Sequence, residues 1–318
     1  MTAVSRADLH VHTCHSKVCG TLTFLGSRDS YSRPEDVYRT AKSRGMDFVA
    51  ITDHDSIDGA LELLSARPEL DDVIIGEEVS CWMPGVDVAV HFGVYGMTEQ
   101  LHRDVQRLRR NAFDVAGYLR EAGVFFALNH LLHFYRGQMP FEAYLRLLEH
   151  VPALEVRNGT MVPAHNTLIE RMAARAPVTH PLGMVAGSDA HTLRRVGRTW
   201  TSAPGRTTNE FMQSLRHGLG RPGGAHGGPG AVAGDAYGVI ASYAASLAGM
   251  GPQDVRGWRR VGCLAFVTAS LPGQVVLPVA VAAAGKARER REVRRAEAHM
   301  NAAGVVAPEH PRPAGSEA

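Results

Sequence analysis

Several short segments of this chain bring histidines and carboxylates together at spacings that suit a shared centre. In Asp8-Leu9-His10-Val11-His12-Thr13 two histidines lie two residues apart. On an extended chain both project from one face and can aim at one point. Thr52-Asp53-His54-Asp55 offers His54 as a ligand, with Asp53 and Asp55 free to orient imidazoles or to bind, and Asp55 equally able to cap a following helix. Gly76-Glu77-Glu78-Val79-Ser80 carries two glutamates that face opposite ways on a strand, so one reaches a centre while the other points away. His91 lies inside the apolar run VAVHFGVYG, where a core imidazole donating to a carbonyl is the plainer reading. His130 closes FFALNH, with His133 as a neighbour. Gly187-Ser188-Asp189-Ala190-His191 repeats the alternate spacing, and Gly187 permits close backbone approach.

Each signal is weak alone, but six or so nitrogen and oxygen donors, nearly all at strand exits, exceed what a packed core needs. The mixture suits zinc, manganese or iron rather than calcium. Clustered ions of this kind acidify water and hold phosphoryl oxygens for in-line attack, which leaves little covalent work for a protein nucleophile. A GxSxG serine elbow is absent from the sequence.

The elements that must position these donors follow a rhythm. Apolar runs are expected as strands at 7–12, 48–52, 73–75, 88–96, 124–130, 153–159 and 181–191. Helical patterns fall at 34–44, 57–64, 99–122, 141–151 and 166–176. Alternating strands and helices with polar residues after each strand predict an α/β parallel sheet or barrel, whose sites form at the carboxyl ends of the strands.

The 318 residues allow one catalytic domain, expected over 1–220. The Gly-rich stretch 221–234 reads as a linker into a mainly helical extension over 221–318, with a disordered tail. Residues 261–285 carry no charge, and 288–295 (RERREVRR) form a basic helical run. For residues 235–295 two readings stay open: helices packed on the barrel or a partner protein, and contact with a membrane. A net charge of +2 gives no strong nucleic-acid signal. Four cysteines without a disulfide framework and an N-terminus without an apolar signal region predict a cytoplasmic setting. Assembly as a homo-oligomer is left open.

The ordered set DLHVHT, TDHD, GEEVS, His91, LNH and GSDAH, spread over residues 7–220, resembles the PHP (polymerase and histidinol phosphatase) superfamily, in its small-molecule phosphoesterase branch. The resemblance implies a distorted (β/α)7 barrel holding two or three divalent metal ions (Mn, Zn or Fe). It implies as ligands His10, His12, His54, Glu78, His91, His130, Asp189 and His191, the family's G-x-E pattern selecting Glu78 over Glu77. The implied activity is hydrolysis of a phosphomonoester or small phosphoester, with a nucleotide or sugar phosphate as substrate. Asp53 and His54 are the catalytic candidates of the second motif.

At one point the chain departs from the pattern. Relatives commonly continue from HxHT into S-D-G, whose aspartate completes the metal site, whereas Lys17 stands there in this chain. Either His15 replaces that ligand from a shifted loop, or fewer ions bind and Lys17 meets the substrate phosphate. Arg28, Arg33, Arg136, Arg157, Arg194 and Arg195 lie near expected active-face loops and could clamp phosphate, Arg194 first among them. Two competing readings are a related metal barrel acting on an amide or lactone, and a degenerate barrel serving as a scaffold or regulatory module.

Overall fold

The computed structural model describes residues 3–17, 27–133, 140–252 and 257–302. Seven strands form the wall of the fold: β1 (Val4–Asp8), β2 (Phe48–Ile51), β3 (Val73–Trp82), β4 (Ala89–Tyr95), β5 (Phe125–Leu128), β6 (Ala153–Asn158) and β7 (Gly183–Gly187). They neighbour one another in chain order. Beyond their ends the ring nearly closes, because Val11 bridges Ala190 in parallel and the His12 amide donates to the Ala190 carbonyl at 3.0 Å. The outer helices are α1 (Pro34–Ser43), α2 (Asp58–Ala66), α3 (Glu99–Leu108), α4 (Ala112–Glu121), α5 (Phe141–Leu148) and α6 (Pro163–Arg175). In α1, Pro34 fits the first turn because its missing N–H would have no helical partner there, and Glu35 and Asp36 meet the positive end of the helix dipole.

The barrel is distorted at β4, which runs antiparallel to both β3 and β5. A wholly parallel ring is therefore corrected, and the reason is covalent. Only residues 83–88 separate β3 from β4, too few for a parallel crossover, which needs a dozen or more. The helix expected over 99–122 is two helices, since the Asn111 side chain accepts from the Phe113 amide and starts α4 afresh. The first strand stops at Asp8 rather than at His12. Asp8 accepts there from the Ser188 and Gly197 amides, at 2.8 and 2.7 Å, and ties β1 to the loop after β7.

Three further elements complete the base: β8 (Thr199–Pro204), α7 (Thr208–Arg216) and β9 (Arg221–Gly224). β8 pairs antiparallel with β1, and β9 with β8. The start of the Gly-rich stretch expected as a linker is thus part of the sheet. Its glycines have a packing role: a Cβ at Gly223 would fall 2.7 Å from the indole nitrogen of Trp200. Inside the barrel Leu9, Phe48, Tyr95, Phe125 and Phe211 form a closed apolar floor beneath the site. Burial of each such side chain contributes roughly 1.5–3 kcal/mol.

The extension consists of α8 (Pro229–Leu247), α9 (Gly257–Ala269) and α10 (Leu271–Ala302). Val293, Ala296 and Met300 of α10 join the main apolar core, and Arg171 of α6 pairs with Glu297 at 2.7 Å. Glu289 accepts from the Val162 amide at 2.9 Å, satisfying a donor at the start of α6. Among the described residues no single helix is long and apolar enough to cross a membrane, although α9 and α10, bent by 71°, meet that length and composition together. The tail expected to be disordered begins outside the described residues, as does Arg136.

Candidate metal centre

The strand exits converge on one cluster of buried donors. Glu78 sits within β3, where the strand pairs with the segment leaving β2: His54 bridges Glu78, and the Glu78 amide donates to the Asp53 carbonyl at 3.1 Å. The two oxygens of Glu78 divide the surrounding imidazoles. Oε2 lies 3.1 Å from His10 Nε2, 3.4 Å from His12 Nε2 and 3.1 Å from His54 Nδ1. Oε1 lies 2.9 Å from His130 Nε2 and 3.2 Å from His91 Nδ1. Asp189 Oδ1 faces His12 at 3.4 Å, and His10 and His191 at 3.6 Å.

A third carboxylate enters from the loop before α1. Asp29 Oδ2 stands 3.7 Å from Nε2 of both His54 and His191. Four overlapping groups of donor atoms result: His10–Glu78–His130, His54–Glu78–His91, His10–His12–Asp189, and His12–Asp29–His54–His191. Nε2 of His10 and His12, Nδ1 of His54, Oε2 of Glu78 and both oxygens of Asp29 are buried without a hydrogen-bond partner among the described residues. Buried polar atoms seldom stay unsatisfied, so this donor set fits cations held between them.

An outer layer fixes the donors. His10 Nδ1 lies 2.9 Å from Glu155 Oε1, which aims Nε2 of the same ring into the cluster. Glu155 also accepts from the His130 amide and from Asn158, at 3.0 and 2.8 Å. A register shift in β6 between Glu155 and Arg157 accompanies this placement. Ser16 Oγ lies 3.1 Å from His12 Nδ1 and accepts from the His54 amide at 2.9 Å. Asn158 and Thr160 both donate to the far oxygen of Asp189. His130 and Asp189 have positive φ, 25° and 51°, a left-handed strain that non-glycine residues bear mainly at functional sites. Gly187 admits the close approach expected of it, since a Cβ there would fall 2.6 Å from the His10 nitrogen.

Electrostatics divides the donors. Burial, reinforced by neighbouring imidazoles, lowers the pKa of His12 and, far more, of His54, which keeps them in the neutral form that can ligate. Burial disfavours charge on His10, His130 and His191, yet facing carboxylates raise all three. Burial also opposes charge on Glu78 and Asp189, but the facing imidazoles hold both well below the usual carboxylate range.

Eight of the sequence-predicted ligands, His10, His12, His54, Glu78, His91, His130, Asp189 and His191, fall in these groups. His15 does not: its Nε2 pairs with Glu62 at 2.7 Å. The place considered for it is taken by Asp29, which sequence spacing missed because it lies 12 residues past Lys17 in the chain. Asp53 turns from the donors, both oxygens accepting from Thr13, and so holds the HxHT segment instead of touching the centre. Asp55 neither caps α2 nor joins the donors; it accepts from the Ser80 amide at 2.9 Å and pairs with Arg109 at 2.5 Å. Glu77 points away, as alternation requires, to His102 and Gln106.

Lys17 is exposed, and its amide donates to the His54 carbonyl at 3.0 Å. The described arginines considered as clamps make other contacts or are exposed. Arg28 donates to the Cys14 carbonyl, Arg157 to the Gly224 carbonyl, and Arg195 is buried with Nε 3.5 Å from Asp235. Arg194 lies over Gly234 of α8, and Arg33 is exposed at the start of α1. His133 stacks edge-on against His130, centroids 5.7 Å apart, as a neighbour of the ligand.

Parts of the chain are similar to known proteins. Residues 164–219 match the family described as PHP-associated. A stretch of 75 residues is 39% identical to the uncharacterised protein MJ1587 of Methanocaldococcus jannaschii, covering 23% of this chain and 43% of that protein, so the match spans less than half of the relative. Among solved structures, a two-domain protein of Bacteroides vulgatus containing a predicted PHP-like metal-dependent phosphoesterase is 16% identical, with a TM-score of 0.46 over 70% of this chain and 66% of that one. An amidohydrolase of Chromobacterium violaceum with bound sulfate and no metal is 18% identical, with a TM-score of 0.44 over 60% and 89% of the two chains. The PHP-associated segment thus stands in one chain with the ordered donor motifs and their convergence on Glu78, and over that segment the chain is similar to PHP-associated proteins.

Proposed function

We propose that the protein is a metal-dependent phosphoesterase that hydrolyses a phosphomonoester or another small phosphoester, such as a nucleotide or sugar phosphate. The observation that carries this reading is the convergence of six imidazoles and three carboxylates, most of them buried, with orphaned donor atoms aimed at one another. Glu78, shared by two of the groups, would hold divalent ions together with its imidazole neighbours, and Asp29 with His54 and His191 would hold a further one. Divalent ions, when bound, supply Lewis acidity that acidifies water and neutralises phosphoryl charge.

The chain's own residues supply position and access. Glu155, Ser16, Asn158 and Thr160 lock His10, His12 and Asp189 before any substrate arrives, so little reorganisation remains. Solvent reaches the cluster at His191 and Asp29, whose side chains are 26% and 20% exposed while those of His12 and Glu78 are sealed. A phosphoryl group therefore enters on that side. The hydrogen bond that the Lys17 amide donates to the His54 carbonyl keeps a cationic residue close to one donor, where it can meet the remaining phosphate charge.

The test is phosphate release from nitrophenyl phosphate, nucleotides and sugar phosphates after loading with manganese, zinc or iron. The reading predicts turnover that chelation abolishes and reloading restores. Turnover absent with all three metals, in protein shown to hold them, would contradict it.

A further inference from the structure

The C-terminal helices leave a broad apolar surface open to solvent. On α9, Trp258 is 89% exposed, with Val261, Leu264 and Phe266 also open. On the first turns of α10, Leu271, Val275, Val276, Leu277, Val279 and Val281 are each more than half exposed. At 3.6 residues per turn the consecutive Val275, Val276 and Leu277 span more than half of the helix circumference, and Leu271 and Val281 extend the open surface on either side of the buried Pro278 and Ala282. A helix that docks on a partner protein shows one apolar stripe. One that is apolar and open over most of its circumference, with only the stripe through Pro278 and Ala282 buried, suits a surrounding medium that is itself apolar.

The polar groups of the segment behave accordingly. Between Val261 and Gly285 there is no charge, and the hydroxyl and amide side chains are Thr268, Ser270 and Gln274. All three turn onto the backbone: Thr268 donates to the Leu264 carbonyl at 2.9 Å, Ser270 to Phe266 at 2.7 Å, and Gln274 to Val267 at 3.0 Å and to Ser270 Oγ at 2.7 Å. The bend between α9 and α10 thus closes its own carbonyls, which lipid demands and water does not. Basic residues flank the segment on both sides. Arg259 and Arg260 precede it, Arg288, Arg290 and Arg291 follow it, and all are exposed. Such flanks complement anionic headgroups.

We propose that the bent α9–α10 pair inserts the exposed apolar surface around its bend into one leaflet of a membrane containing anionic lipid and tethers the barrel there. Neither arm crosses. The 13 residues of α9 extend about 20 Å, against a hydrocarbon core of roughly 30 Å, and the arms are bent by 71°. The later turns of α10 bury Lys286, Glu289, Val293, Ala296 and Met300 in one stripe on the barrel side, so the helix couples the inserted surface to the catalytic unit.

The experiment is flotation of the full chain with vesicles of phosphatidylcholine alone and of phosphatidylcholine mixed with phosphatidylglycerol. The parent should float with the mixed vesicles. The pair Val276→Asp and Val279→Asp should weaken binding at least about tenfold, and the pair Arg288→Glu and Arg291→Glu should weaken only the part that depends on anionic lipid. Unchanged melting and metal content report that the variants fold. Should they not fold, quenching of the parent's tryptophan fluorescence by lipids brominated along their chains, lost in Trp258→Tyr, tests the same claim. The proposal is overturned if the parent stays lipid-free with both vesicles. It is also overturned if the chain forms a dimer that the valine substitutions dissociate while vesicle binding is absent, which would assign the surface to a second copy.

Discussion

Oδ2 of Asp29 stands 3.7 Å from Nε2 of His191 and the same distance from Nε2 of His54, joining a carboxylate from the loop before α1 to imidazoles from the exits of β7 and β2. Replacing Asp29 by Asn removes the charge of this group and leaves the Glu78 and Asp189 groups intact. Elemental analysis should find one ion fewer per chain than in the parent. His15→Ala, which breaks only the pair with Glu62, should leave the count unchanged. A drop in His15→Ala together with a full count in Asp29→Asn would reverse the assignment.

Glu155 acts on the centre through His10, whose Nδ1 it meets at 2.9 Å, through the His130 amide, and through Asn158, which also donates to Asp189. Glu155→Gln should weaken metal affinity about 10–100-fold, the usual cost of losing such an orienting carboxylate. Titration with a competing chelator measures this, and saturating metal should recover much of the activity. An affinity equal to the parent's would show that packing alone orients His10.

The outline of the site was legible in the sequence because alternate spacing on an extended chain constrains direction, which is why His10 with His12 and Asp189 with His191 pair as expected. Glu78 was separated from Glu77 by the family pattern, and strand alternation placed their side chains on opposite sides. Three features were not legible for physical reasons. Asp29 comes from a loop, where separation along the chain says nothing about proximity. The direction of β4 depends on the short link at 83–88, a topological fact and not a periodic one. Asp53 and Asp55 look like ligands by type and place, but which partner captures a carboxylate, here Thr13 or Arg109, is decided by tertiary packing. The Gly-rich stretch at 221–224 read as a linker because its composition is that of one, whereas the Trp200 indole needs the missing side chain.

Gly187 is predicted to be intolerant of any side chain. Alanine there would press on the His10 backbone and side chain, and overpacking of this kind costs about 1–3 kcal/mol. Gly187→Ala should lower the unfolding free energy by that amount, read from denaturant titration, and reduce metal affinity. Gly230→Ala, at a position open to solvent, should do neither. Equal behaviour of the two variants would refute the close approach.

Burial pushes the Asp53 carboxyl up from 3.8 to about 7. The folded metal-free protein therefore keeps a proton that the unfolded chain releases near pH 4, so this group makes apo stability fall as pH rises from about 4 to about 7. Denaturant midpoints of the apo protein at several pH values across that window should show a shallower decline in Asp53→Asn than in the parent. Parallel profiles would mean that Asp53 titrates normally.

The central claim is that the converging imidazoles and carboxylates are a metal site, and its most direct test is the molar ratio of metal to protein purified without chelator. The account predicts two or three ions per chain, stripped by chelation with a loss of thermal stability and restored by manganese, iron or zinc. A ratio near zero that persists after incubation with all three metals would contradict it.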